Sequence, residues 1–409
     1  MNDGDAVQAT PQSPAGIAEQ HAKQAAEACA RQDYARAFEL YERAASTAGL
    51  EQPSQWRYQL ARAGALHEAG RHCQEAAFLE QAVELLSHEI LALAPRDERP
   101  DDWAETQHRL GDVLALLAQT SRGTGLFMRA VEAYQGALSV CEPGRAPEQW
   151  ATLQNSLGNA LGALAQRQQD EDLLEASAQA FQAALTVRTQ ARMPGEWATT
   201  LNNLAAVQQG LGRLRNDAQL LKQSVESYKL VLQEWTRERT PLTWAKTMDN
   251  LGTSLRLLGQ CRKGPRTLEQ AIAAYRSALG VRTRERAPLE WSVTQNNLGA
   301  ALHKLAERLQ DAQLLDQSIV AYENALSETQ RDQHPIDWAM TLANLAAARR
   351  KLAELAGDAA AAHQAASDFA QVSSVFRAAS HARYYELSEE QRADTLKLVH
   401  QLERAPRET

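Results

Sequence analysis

Cysteine is scarce in this chain. Cys29, Cys73, Cys141 and Cys261 are the only four in 409 residues, far apart and without ligand spacing. That excludes a disulfide framework and a cysteine-bound metal, and well-separated thiols point to a cytoplasmic compartment. Long apolar runs are missing too. No stretch approaches the ~18 residues of a membrane span, and the opening MNDGDAVQATPQSPAG lacks the basic-then-apolar order of an export signal. Basic excess is absent: 43 Lys and Arg face 51 Asp and Glu, a net charge of -8. That balance argues against nucleic acid as the partner. There is no alternating strand pattern, no GxxxxGK[ST] phosphate loop, no HExxH and no CxxC. His72 and Cys73 are adjacent, but helix neighbours point apart. Asp170-Glu171-Asp172 suits a helix start better than a metal. Neither a cofactor, a metal nor a catalytic activity is expected.

What is present is a period. Trp56, Trp103, Trp150, Trp197, Trp244, Trp291 and Trp338 are each 47 residues apart, and a proline stands three residues before each. Self-similarity at such a spacing means stacked supersecondary units, each contacting mainly its neighbours. The expected organisation is a disordered tail over 1–16, a helical hairpin over 17–52, seven repeats over 53–381 and a capping helix over 382–409. Ser388-Glu389-Glu390-Gln391 reads as the capping box that opens this last helix.

With each Trp as offset zero, apolar or small residues recur at +7, +8, +11 and +14, one stripe of a 3.6-residue period. The proline fits the first turn of that helix. At +20 stand Asp170, Asp217, Asp311 and Asp358, N-caps for a second helix. That helix carries a small residue, an aromatic and a small residue at +27, +31 and +34, as in Ala271/Tyr275/Ala278. In repeat one this pattern slips by about one position. The fold class is therefore all-α, a solenoid of antiparallel helix pairs. The seven tryptophans read as structural wedges of the repeat.

Leu251-Gly252 and Leu298-Gly299 in first helices, with Ala271/Tyr275/Ala278 in a second, resemble the tetratricopeptide repeat (TPR). The departure is length, 47 residues against the usual ~34. HEAT-like repeats are the alternative, but they do not account for these signatures. The Pro-x-x-Trp-Ala-x-Thr-x-Asn-Asn-Leu-Gly form looks like the long TPR units of bacterial signalling and defence proteins. Some of those carry a CHAT protease after the repeats, for which the capping helix expected here leaves no room. The resemblance implies a right-handed superhelix whose concave groove holds an extended peptide or helix of a partner protein.

Mid-helix asparagines mark the candidate groove. Asn203, Asn250, Asn297 and Asn344 occupy +6, and Asn155, Asn202 and Asn296 occupy +5. Each costs a helix ~0.5 kcal/mol against Ala. An amide can donate to and accept from a peptide bond at once, so a ladder of them suits a bound backbone. The same amides could instead bond between neighbouring helices and set repeat register. The functional expectation is a protein–protein interaction scaffold or adaptor. The alternatives are a regulatory subunit of a separately encoded protease or kinase and, behind it, a helical-repeat RNA binder.

Overall fold

The structure, a computed structural model, describes residues 13–121 and 123–404. An N-terminal hairpin pairs α1 (Pro14–Ala30) with α2 (Tyr34–Ala45). Repeat one follows as α3 (Gln52–Cys73), then α4 (Ala76–Glu84), a π turn (Leu85–Ile90) and α5 (Leu91–Leu93). Repeats two and three are α6 (Pro100–Thr120) with α7 (Gly125–Leu138), and α8 (Pro147–Gln168) with α9 (Glu171–Leu185). Repeats four and five are α10 (Pro194–Leu214) with α11 (Ala218–Glu234), and α12 (Pro241–Gln260) with α13 (Arg266–Leu279). Repeats six and seven are α14 (Pro288–Leu309) with α15 (Ala312–Glu328), and α16 (Pro335–Ala356) with α17 (Ala359–Ala378). α18 (Ala382–Arg404) closes the series. Among the described residues there is no strand.

The chain forms two compact parts, Met1–Met193 and Pro194–Thr409. Within each, every helix packs on the next in chain order. First helices of successive repeats also touch: α3 meets α6, α6 meets α8, α10 meets α12, α12 meets α14 and α14 meets α16. Among the described residues, second helices make no comparable contact with each other within either part. The first helices therefore crowd the inner side of each part, and the second helices spread over the outer side.

Local chemistry sets the boundaries. Six first helices begin at their proline, whose missing N–H is an orphan there anyway. Residue +19 takes the left-handed conformation at Gln169, Asn216, Gln310 and Gly357. The next amide then bonds back five residues, as Asp311 to the Ala306 carbonyl at 3.2 Å. That is a Schellman turn. Asp170, Asp217, Asp311 and Asp358 then cap the second helix, their carboxylates accepting from backbone amides two to three residues on.

In four repeats the core of the hairpin is a glycine facing an aromatic ring. Tyr134, Phe181, Tyr275 and Tyr322 are buried against Gly111, Gly158, Gly252 and Gly299. Beside that contact, Ser177 and Ser318 donate to the carbonyls of Gly158 and Gly299 at 2.6 and 2.8 Å, and Ser224 does so to Ala205 at 2.8 Å. The phenols differ in their partners. Tyr134 donates to Asp112 at 2.8 Å, and Tyr275 lies 3.0 Å from the Thr253 hydroxyl. The buried Tyr228 hydroxyl finds none among the described residues. A buried hydroxyl without a partner costs ~1–3 kcal/mol. Tyr228→Phe should therefore leave the urea midpoint unchanged or raise it, while Tyr275→Phe lowers it.

The two ends of the series and repeat one add local detail. Residues 1–12 of the expected tail lie outside the described residues. α1 starts at Pro14, with Ser13 accepting from Gly16 N–H at 3.2 Å. The slip in repeat one is the π turn. Ala82 and Leu86 fill the small and aromatic slots one residue early, and Ile90 falls back in register. One residue is absorbed between Leu86 and Ile90, as a π turn does. The capping box at Ser388 is not a helix start: α18 begins six residues earlier, at Ala382. Ser380 ends α17 at φ 58°, His381 N–H bonds back to Phe376, and the chain re-enters a helix at once. Ser388 sits mid-helix, 2.8 Å from the Ser373 hydroxyl.

Candidate amide-lined face of the first helices

Offsets +5 and +6 lie where one first helix meets the next. Asn297 on α14 donates to both carboxylate oxygens of Asp249 on α12, at 3.4 and 3.2 Å. Asn344 on α16 donates to the Asn296 amide oxygen on α14 at 3.2 Å. In the N-terminal part, Ser156 on α8 lies 3.5 Å from His108 Nε2 on α6. Each pair is separated by 48 residues, one period plus one, because +6 of one repeat reaches +5 of the repeat before it. Inter-repeat bonds are thus present at these rungs.

Asn202 and Asn203 meet side by side on α10, at 3.4 Å. The Asn250 side chain has no hydrogen-bond partner among the described residues; only its backbone carbonyl is used, by Gln209 at 3.0 Å. Asn155, Asn202, Asn203, Asn250, Asn296, Asn297 and Asn344 are all half-buried. They remain reachable from solvent while facing a helix junction.

One rung carries a carboxylate. Asp249 is 7% exposed. Burial raises its pKa above the ordinary carboxylate range, opposed by Thr294, Arg282, Asn297 and Arg256. Arg282 is itself buried and donates to Thr294 at 3.2 Å. The +3 threonines of the repeat motif (Thr106, Thr200, Thr247, Thr294 and Thr341) are all buried, and neither they nor Arg282 were expected to bear on this face. The repeated threonine at one offset was the available signal.

The tryptophans lie apart from this face. All seven are half-buried. An arginine seven residues earlier covers the ring in four repeats: Arg96, Arg237, Arg284 and Arg331 lie 5.1–5.9 Å from the centroids of Trp103, Trp244, Trp291 and Trp338. Trp56 donates to Thr106 of the following repeat at 2.9 Å. Trp103 rests on Gly136 of its own second helix.

Candidate chemistry elsewhere is accounted for by structure. His72 stacks on Tyr34 at 5.9 Å and lies 3.5 Å from Glu68. Among the described residues no cluster could hold a metal ion, and no helix is long and apolar enough to cross a membrane. Arg308 clamps the turn of the preceding repeat through the Gly264 and Gly259 carbonyls at 2.7 and 3.0 Å.

No protein-family model and no curated protein matches the chain. Solved structures do. The apo form of RapI is similar over 93% of this chain and 99% of that one, with a TM-score of 0.53 and 12% identity. The apo quorum sensor NprR from B. thuringiensis covers 94% and 98%, with a TM-score of 0.49 and 14% identity. The C-terminal part of a TPR repeat-containing protein from Cytophaga hutchinsonii covers 78% and 95%, at 0.46 and 11%. At such identities the likeness is one of fold. Helix pairs in series, a glycine–aromatic contact inside four of them and this likeness together make the chain a TPR-like α-solenoid.

Proposed function

We propose that the amide-lined face of the first helices is a docking surface, and that the chain is a scaffold or adaptor holding an extended segment or helix of a partner protein. The observation that carries this reading is Asn250, a half-buried amide with no side-chain partner among the described residues. Such a group suits a peptide backbone, because it offers a donor and an acceptor together. An apolar ridge runs beside it. One turn earlier on the same helix face, at -2 and +2, Leu242, Leu289, Val293 and Met340 are 60, 55, 54 and 45% exposed. Apolar side chains of a partner would cover that ridge while its backbone meets the amides. Packed helices lie ~8–10 Å apart and an extended chain rises ~3.3 Å per residue. Each repeat would then read about three residues. This reading needs no catalytic step of the chain's own, and its well-separated free thiols fit a reducing compartment such as the cytoplasm.

Asn250→Ala removes an amide that holds no neighbouring repeat. It should leave the melting temperature within about a degree of wild type and weaken partner binding at least tenfold. Capture of partners from the native host by both proteins, followed by titration of the captured partner, measures this. Equal affinity for both would remove Asn250 from the docking surface.

A further inference from the structure

The N-terminal part carries an open concavity of about 780 Å³, lined by α3, α6, α7 and α8. Its floor holds Asp112, at offset +9, where other repeats place Asn159, Ala206, Thr253, Ala300 and Ala347. One carboxylate oxygen accepts from the Tyr134 phenol at 2.8 Å, and the other lies 3.7 Å from His108 Nε2. Ser156 approaches that same ring nitrogen at 3.5 Å. A relay of serine, histidine and carboxylate needs its partners on opposite ring nitrogens, so this arrangement is not a nucleophilic site.

It is instead an under-compensated carboxylate. An ionised carboxylate offers about four acceptor positions, and the phenol uses one. No Lys or Arg pairs with Asp112 among the described residues. The cation at the rim, Arg167, is committed elsewhere. Its Nη1 and Nη2 donate to the Gly123 and Ala118 carbonyls at 2.6 and 2.8 Å, and its guanidinium lies over Phe127 at 4.6 Å. His67, also in the lining, is pushed by burial toward its neutral form, against the pull of Asp112. Gln119 and Gln166 stand exposed at the mouth and add amide acceptors.

We propose that this concavity takes the guanidinium of an arginine side chain, presented by a partner segment lying along the first-helix face of the N-terminal part. The proposal rests on the docking reading of that face. A guanidinium spreads five donors in a plane and sheds water more readily than an ammonium. It can therefore meet Asp112 and the surrounding acceptors together, in a cavity too large for a bare ion. The net charge of -8 favours the approach of a basic segment.

The test uses the full chain, ring-labelled at histidine, and N-acetyl-arginine amide as the probe. The neutral isostere N-acetyl-citrulline amide is the control. Arginine amide should shift the His67 and His108 resonances saturably, and citrulline amide should not. Asp112→Asn keeps an oxygen to accept from Tyr134 and should weaken the arginine response at least tenfold. Ala163→Phe, which fills the cavity from α8, should abolish it with helicity retained. Equal responses to arginine and citrulline, or an Asp112→Asn response equal to wild type, would overturn the proposal. The docking face is read separately. Partner binding that depends on Asn250 with no arginine response removes the pocket alone. An arginine response with no Asn250 dependence supports the pocket and removes the face.

Discussion

Gly252→Val should destabilise the C-terminal part by ~3 kcal/mol, the upper range for overpacking a tight contact. A Cβ at Gly252 would lie 2.7 Å from Cε1 of Tyr275, closer than any ordinary contact. The Tyr275 ring is 0% exposed, so it has no vacant direction to move in. The same approach recurs at Gly111, Gly158 and Gly299, at 2.6, 2.8 and 2.8 Å from their rings. Repeat four places Ala205 against Tyr228, so a hairpin can yield by one methyl group. Alanine would also gain ~1 kcal/mol of helix propensity over glycine and so hide part of the clash. Valine is the sharper probe. Tyr275→Leu in the valine background should recover part of the loss, with a coupling of ~1–3 kcal/mol across the urea-unfolding cycle. Strictly additive effects would contradict the contact.

Asn297→Ala should cost ~2–3 kcal/mol, more than removing an exposed amide, because it leaves a buried carboxylate short of a donor. The pH dependence of Asp249 gives the second half of this result. Burial raises its folded pKa above the unfolded ~3.9. A raised carboxyl binds its proton more tightly in the folded state. Its favourable contribution is therefore complete below the unfolded value and is lost as pH rises through the folded one. Asp249→Asn should abolish that fall in stability, be neutral or stabilising at pH 7, and rescue much of the Asn297→Ala loss. Unfolding midpoints of the single and double variants from pH 3 to 7 measure all three.

The repeat was legible because its constraints are local and recur. Proline at N1, Asp at the second N-cap, and glycine facing an aromatic each need only residue types at fixed offsets. The inter-repeat bonds were less legible. Asn297 with Asp249 and Asn344 with Asn296 are set by how far one helix shifts against the next, a packing quantity that no single repeat contains. The π turn showed in the sequence only as a slip, since Ala82 and Leu86 fit their slots and nothing local marks the extra residue before Ile90. Ser388 misled because a capping box is a local pattern, while a Schellman turn at Ser380 had already restarted the helix. Asp112 escaped notice for the opposite reason. It is the one acid at +9, and a search for repetition passes over a single departure.

The docking claim is tested most directly by photo-crosslinking from within the molecule. A photoreactive residue replaces Asn250, on the first-helix face, or Leu230, which is 42% exposed on the second helix α11. Both proteins are irradiated in the native host. Covalent capture of one discrete partner from position 250 and none from 230 is the predicted result. Capture from 230 alone would put the interaction on the outer side and contradict the account.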